Sequence, residues 1–286
     1  MTARTVFPAL LERLGVRHGD HIYLHTSFSR LGYLEQPAER LIADLEDRIG
    51  PQGTLVMPSF AWNVDKSARP WKGYADYFRQ RHEFDVRHTP ANIGWVPEVF
   101  RRLPRTLRSA SYWWSIAARG SLAEVLTRGQ QHCMHSFGPG SSFDLLRMHG
   151  VKILGLGVSL NTTSLALVAD AALANHPHEI FTAEPRPGVI VDETGRSVKT
   201  TCHWLLPEAV RLIKPSALAA ASRRFAAAIT RADHGETIHF CYRYQSYHDE
   251  ALRLGRVAAT GGYPVPWLSD YPLKPTFSAA LAARSA

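Results

Sequence analysis

The sequence predicts an α/β fold, a single-domain sandwich of helices around mixed sheets. Short apolar stretches with strand character alternate with segments of helical spacing through the first half of the chain. A hairpin pattern then interrupts the alternation, which argues against a purely doubly wound parallel sheet. No repeat or low-complexity linker divides the 286 residues, and that length suffices for one large core.

The elements follow in order. A first helix ends at Gly15, and His21–Phe28 (HIYLHTSF) reads as a buried strand. Pro37–Ile49 has helical spacing, a proline in its first turn and Gly50 at its end. Thr54–Phe60 (TLVMPSF) reads as a strand that breaks at Pro58. Residues 63–83 are polar, aromatic and irregular, a loop long enough to be functional. Asn92–Leu103 is expected as a helix and Ser115–Ala118 as a short strand. Phe143–Met148 reads as helix, Val151–Leu156 as a buried strand, and Ser164–Leu173 as helix again. Gly188–Thr200 reads as a hairpin turning through Glu193, Thr194 and Gly195. Leu206–Ile213 and the alanine-rich Ala217–Ala232 are expected as helices.

Composition narrows the function classes. Hydrophobic residues make up 45% and charged ones 20%, the balance of a globular protein. The start, MTARTVFPALLERLG, lacks the apolar run of a signal peptide, and no stretch has the length of a membrane helix. A cytoplasmic location with no membrane partner is the expectation. Three dispersed cysteines (Cys133, Cys202 and Cys241) form neither a disulfide framework nor a zinc motif, so no metal is expected. The net charge of +8 comes mostly from arginine, with six lysines among 33 basic residues. Those residues are scattered, without a basic-aromatic tract, so no nucleic acid partner is expected. A phosphorylated cofactor or an acidic carrier protein remains compatible with the charge.

Four segments carry more specific information. They are His25-Thr26-Ser27-Phe28-Ser29-Arg30-Leu31-Gly32; Gly50-Pro51-Gln52-Gly53-Thr54-Leu55-Val56-Met57-Pro58-Ser59-Phe60; Phe84-Asp85 with Thr89-Pro90, Gly94, Glu98, Phe100-Arg101 and Arg108-Ser109; and Phe137-Gly138-Pro139-Gly140-Ser141, leading into Asn161-Thr162. In this order they resemble the aminoglycoside 3-N-acetyltransferases, strongest over residues 20–170, with 186–286 a divergent C-terminal part of the same domain 1–286. The resemblance implies the antibiotic N-acetyltransferase type of α/β sandwich, which is not the GNAT fold. It also implies a coenzyme A thioester as co-substrate. Thr26, Ser27, Phe28, Ser29 and Arg30, with Thr89, Arg108 and Ser109, are the expected cofactor-binding residues. Hydroxyls and backbone amides at a strand end suit phosphate or pantetheine amides, and arginine adds charge-assisted bonds.

The chain departs from that pattern where the resemblance places a catalytic histidine. The family segment resembles D-T-x-[TS]-L-L-H-x-A-E; here Asn161 stands for its acid, Leu167 for its histidine and Asp170 for its glutamate. Leucine cannot accept a proton from an amine. His135, His203 and Asp170 are the candidate catalytic residues in its place, with His25 and His88 weighed beside them. Adjacent residues Cys202 and His203 do not suit a nucleophile–base pair, since neighbours on a strand face opposite ways.

A second departure is Ser111-Tyr112-Trp113-Trp114-Ser115, whose aromatics favour a flat or apolar ligand. Tyr112, Trp113, Trp114 and Asn161 are the candidate substrate-binding residues. The 63–83 loop carries Lys66, Arg69, Lys72, Arg79 and Arg81 against Asp65, Asp76 and Glu83, a poor cage for a polycation. The expected activity is acyl transfer from a CoA or carrier-protein thioester to a small amine or hydroxyl acceptor, in natural-product biosynthesis. Three alternatives stand beside it: aminoglycoside acetylation with a substitute base, a cyclase or amide-forming enzyme without acyl-CoA chemistry, and a non-catalytic binding protein.

Overall fold

The computed structural model describes residues 3–60, 83–91, 93–111, 114–135, 137–160, 182–203, 218–220 and 222–259. The chain begins with helix α1 (Ala3–Arg13), strand β1 (His21–Thr26) and a 3-10 turn over Phe28–Leu34. Helix α2 (Ala38–Ile49) and strand β2 (Thr54–Pro58) follow. Next come β3 (Glu83–Asp85), α3 (Trp95–Arg102), β4 (Leu107–Arg108), β5 (Ile116–Gly120) and α4 (Ala123–Thr127). Helix α5 (Ser142–Met148) and β6 (Lys152–Leu156) lead to the hairpin of β7 (Arg186–Val191) and β8 (Ser197–Cys202). Helix α6 (Arg223–Ala228), β9 (Thr230–Arg231), β10 (His239–Arg243) and α7 (Tyr244–Ala259) complete the described part.

Two sheets result. The larger has the order β4-β5-β2-β1-β6-β10-β9, and the smaller β3-β7-β8. Strands β2, β1 and β6 run parallel at the centre, with Tyr23 opposite both Val56 and Ile153. Strands β5 and β10 flank them antiparallel. The expected mixed α/β sandwich is therefore the observed one. β10 puts part of the divergent C-terminal region into the same sheet as β1.

Alternation along β1 sorts its side chains to two cores. Ile22 and Leu24, with Leu55, Met57, Leu154 and Leu156, pack under α1, α2 and α3 through Phe7, Leu11, Leu41, Leu45, Val96 and Phe100. Tyr23, Val56 and Ile153 face the other way, toward Phe143 of α5, Phe225 of α6 and Tyr247 of α7. The smaller sheet closes this second core with Phe84, Ile190 and Cys202. Each fully buried Leu or Phe contributes about 1.5–3 kcal/mol.

Several expected boundaries shift for local reasons. The predicted helix Ala217–Ala232 is not one helix. Ser222 is extended (φ −129, ψ 108), and its hydroxyl accepts from Phe225 N at 3.1 Å, starting α6 anew. Thr230–Arg231 then leaves the helix to pair with β10. Strand partners and a serine cap outweigh the helix propensity of the alanines. The 63–83 loop up to residue 82, Ser164–Leu173 and Leu206–Ile213 lie outside the described residues.

The two sheets are joined by Arg108. Its Nη2 donates to Ser59 O at the end of β2 (2.7 Å). Nη1 donates to Val86 O (3.2 Å) and to Thr89 O, both just after β3. The guanidinium also lies 4.7 Å from the centre of the Phe84 ring. Asp85 folds the same loop, accepting from Arg87 N and His88 N at 2.8 Å each. Glu98 pins it from α3: it accepts from Ala91 N (2.7 Å) and from two nitrogens of Arg101 (2.6 Å each), while Arg101 Nη1 donates to Arg87 O. Replacing Arg108 by leucine should cost about 3 kcal/mol, because three carbonyls lose a charged donor. Arg108→Lys should recover only part of that, lacking the fork geometry. Chemical denaturation of the two variants measures both values.

Candidate functional site

The parallel strands point to one end of the larger sheet. From β1 the chain crosses to β2 on one side, while β6 lies on the other, so the strand order reverses at β1. In α/β proteins such a reversal is where a crevice forms outside the carboxyl ends of the strands and where ligands bind. Thr26–Arg30 and Gly157–Leu160 emerge there from β1 and β6, and Ser59-Phe60 from β2. Antiparallel β5 and β10 begin at the same end, which brings Ser115 and Ile238 to it.

Local structure in the crevice is tight. Ser27 N donates to Leu156 O and Gly157 N to Ile238 O, at 3.0 Å each, so three segments meet. Gly157 has φ +67, and a Cβ there would sit 3.1 Å from both Arg30 Cβ and Ser27 O. Ser27 and Ser29 hydroxyls lie 3.4 Å apart. Thr26 Oγ1 is buried without a hydrogen-bond partner. Arg30 is exposed. The structure thus brings the five expected residues 26–30 to one place, at the end where a ligand is expected.

The other expected cofactor residues face the protein instead. Arg108 is committed to the carbonyls described above. Thr89 Oγ1 accepts from Asp85 N (2.8 Å), and Ser109 Oγ accepts from Ile116 N (2.9 Å) with no exposure of the residue. These groups fix the loop and β4–β5. Trp114 is 2% exposed, with its ring on Phe60 (4.9 Å) and Phe137 (5.0 Å) in the core. Tyr112, Trp113, Asn161, Leu167 and Asp170 lie outside the described residues.

Two of the candidate bases are brought together from distant parts of the chain. His135 and His203 form a parallel bridge, and their rings stack at 4.5 Å with an 11° angle between planes. His203 Nδ1 lies 2.7 Å from Thr182 O, and its N donates to Met134 O at 2.7 Å. Burial, then the charge of His203, lowers the pKa of His135. His25 is different. It is buried on β1 against Tyr23, and burial pushes it down to about 3. His88 is exposed and bonds Asp85 Oδ2 at 3.0 Å.

The motifs, the sheet order and the crevice converge on one family. The family profile for aminoglycoside 3-N-acetyltransferases matches residues 23–240. The chain belongs to the aminoglycoside 3-N-acetyltransferase family. Among its relatives is aminoglycoside N(3)-acetyltransferase IX of Micromonospora chalcea, 31% identical over 170 residues, which cover 56% of this chain and 59% of the relative. Another is enzyme VII of Streptomyces paromomycinus, 32% identical over 198 residues, or 66% of each chain. The alignments thus span 59% and 66% of those relatives' own length.

Solved structures agree on the fold. Aminoglycoside acetyltransferase AAC(3)-Xa has a TM-score of 0.69 at 25% identity, covering 88% of this chain and 92% of its own. A histidine-to-alanine variant of AAC(3)-IVa in complex with a gentamicin has a TM-score of 0.65 at 26% identity, covering 89% and 88%. AAC-IIIb as a binary complex with CoASH, at 24% identity and a TM-score of 0.66, covers 88% and 95% and speaks to the fold alone.

Within this family fold, a concavity of about 930 Å³ lies away from the crevice. Lined by His18, Glu46, Gly50, Arg105, Arg119 and Gly120, it sits where β1 and β2 begin. Among the described residues no three His, Cys, Asp or Glu side chains gather as a metal site, and no helix is long and apolar enough to cross a membrane.

Two expectations follow. Gly157→Ala should destabilise the fold by about 1–2 kcal/mol, since its positive φ strains any side chain, and should weaken any ligand held by Ser27 and Arg30. Thermal unfolding and ligand titration of the variant report the two effects. His25 has a folded pKa of about 3 against an ordinary 6.5. Below pH 6.5 the unfolded chain binds a proton that the folded one refuses, so stability falls with pH until about 3. The slope from this group is about 1.4 kcal/mol per pH unit. His25→Gln should remove that increment from denaturation curves taken between pH 6 and pH 4.

Proposed function

We propose that the chain is an acyltransferase that takes an acyl group from a coenzyme A thioester to the amine of a small acceptor. The observation that carries this reading is the set of side chains that follows the carboxyl end of β1. There the paired hydroxyls of Ser27 and Ser29 and exposed Arg30 follow the carboxyl end of β1, the end where ligands bind α/β sheets. These groups fit the donor chemically. Hydroxyls suit the amides of a pantetheine arm, and the guanidinium suits a phosphate. Gly157 lets the turn after β6 pack directly against Ser27 and Arg30 after β1. When bound, the thioester supplies an activated acyl carbon; the chain holds and orients it.

The relatives' names support an aminoglycoside acceptor as the second reading. Of the aromatic residues that pointed toward a flatter acceptor, Trp114 is core. Natural-product biosynthesis thus stands as one setting among others for the same reaction. A carrier-protein donor has less in its favour. Arg101 and Arg102 share Glu98, and Arg128 pairs with Glu124, so several arginines behind the basic charge are already paired.

Calorimetric titration with CoA and acetyl-CoA tests the reading. Micromolar binding is expected, weakened about tenfold, or 1.4 kcal/mol, in Arg30→Ala and also reduced in Ser27→Val. Absence of binding up to millimolar CoA sinks it. With binding in hand, thiol release from acetyl-CoA against gentamicin and against aromatic amines ranks the two acceptor classes.

A further inference from the structure

Acyl transfer to an amine needs a proton acceptor, since the nitrogen must lose a proton as it acquires the acyl group. The described histidines sort clearly for that task. His18, His21 and His149 lie at the opposite end of the sheet, around the start of β1 and β6. His25 and His239 are buried and held down to about 3 and about 4, too weakly basic to accept a proton from an amine. His248 is buried beside Asp249. His88, His132 and His234 sit out on the surface.

His135 and His203 remain, half-buried and stacked. A carbonyl oxygen only accepts, so the bond to Thr182 O puts the proton on Nδ1 of His203 and leaves the lone pair on Nε2. The His135 ring lies flat against it and fixes its plane. A run of buried contacts leads from the loop beside this pair to the end of β2. Gly138 N donates to His135 O (3.0 Å), the Phe137 ring packs on Trp114, and Trp114 on Phe60, which follows the end of β2. Burial, and after it the neighbouring His203, lower the pKa of His135.

We propose that His203 Nε2 is the proton acceptor for acyl transfer and that His135 is the positioning residue that holds its ring. The assignment rests on the acyltransferase reading above. In the step, the neutral amine nitrogen attacks the thioester carbonyl carbon. A C–N bond forms, the C–S bond breaks, and the amine proton passes to His203 Nε2. That proton then returns to the departing thiolate, giving an amide and free CoA thiol.

Site-resolved carbethoxylation by diethyl pyrocarbonate, read by peptide mass spectrometry, tests this without a known acceptor. His203 should be modified in the free protein. Acetyl-CoA at ten times its Kd should slow that modification about tenfold, with exposed His88 unchanged as the control. His135→Phe, which keeps a flat ring, should preserve the reactivity of His203, while His135→Ala should alter it. His203→Gln should bind acetyl-CoA as the native chain does. If acetyl-CoA binds and His203 is unreactive or unprotected, the assignment is wrong and the acyltransferase reading stands. If acetyl-CoA does not bind, both fall.

Discussion

The rest of the site depends on how one arginine ties two sheets. Arg108 sits on the short edge strand β4, yet its guanidinium reaches the end of β2 and the loop after β3 at once. A sheet of three strands has little core of its own and needs such an anchor. With its planar fork bonded to three carbonyls and stacked on Phe84, Arg108 sets the height at which β3-β7-β8 covers the second core. His203 follows the last strand of that small sheet and Thr182 precedes its middle one. The stacked histidines therefore inherit their position from a clamp formed elsewhere.

That arrangement separates scaffold from surface within a single motif. Phe84, Asp85, Thr89, Glu98, Arg101, Arg108 and Ser109 read in sequence like a binding fingerprint. In three dimensions they bond one another and the backbone around them. Glu98 shows how strongly: burial would raise its pKa, but the bonds from Arg101 and Ala91 and the charges of Arg101 and Arg102 lower it overall. Charged pairs so placed are costly to break, because the survivor is left desolvated. The first motif behaves differently, since Ser29 and Arg30 stay exposed at the crevice.

Electrostatics divides the histidines by the same logic. Burial on β1 pushes the His25 ring down to about 3, whereas His135 and His203 are only half-buried. What distinguishes them is depth beneath the sheet, which the residue type alone does not encode. The basic excess of the chain is likewise partly neutralised locally, as at Glu98 and Glu124.

By itself, the sequence determined the mixed α/β sandwich, the family, β1, β2, α2, β6 and the β7–β8 hairpin, because these follow from local apolar periodicity and turn residues. It also determined that residues 26–30 end a central strand. It did not reveal β10 and α7, nor the break at Ser222. Only tertiary structure decided that Arg108, Thr89 and Ser109 build the scaffold, that Trp114 is core, and that His135 meets His203. Those outcomes depend on which carbonyls and rings arrive beside a side chain from far along the chain, and such pairings are absent from local sequence. Long-range packing chooses among roles that the residue types leave open.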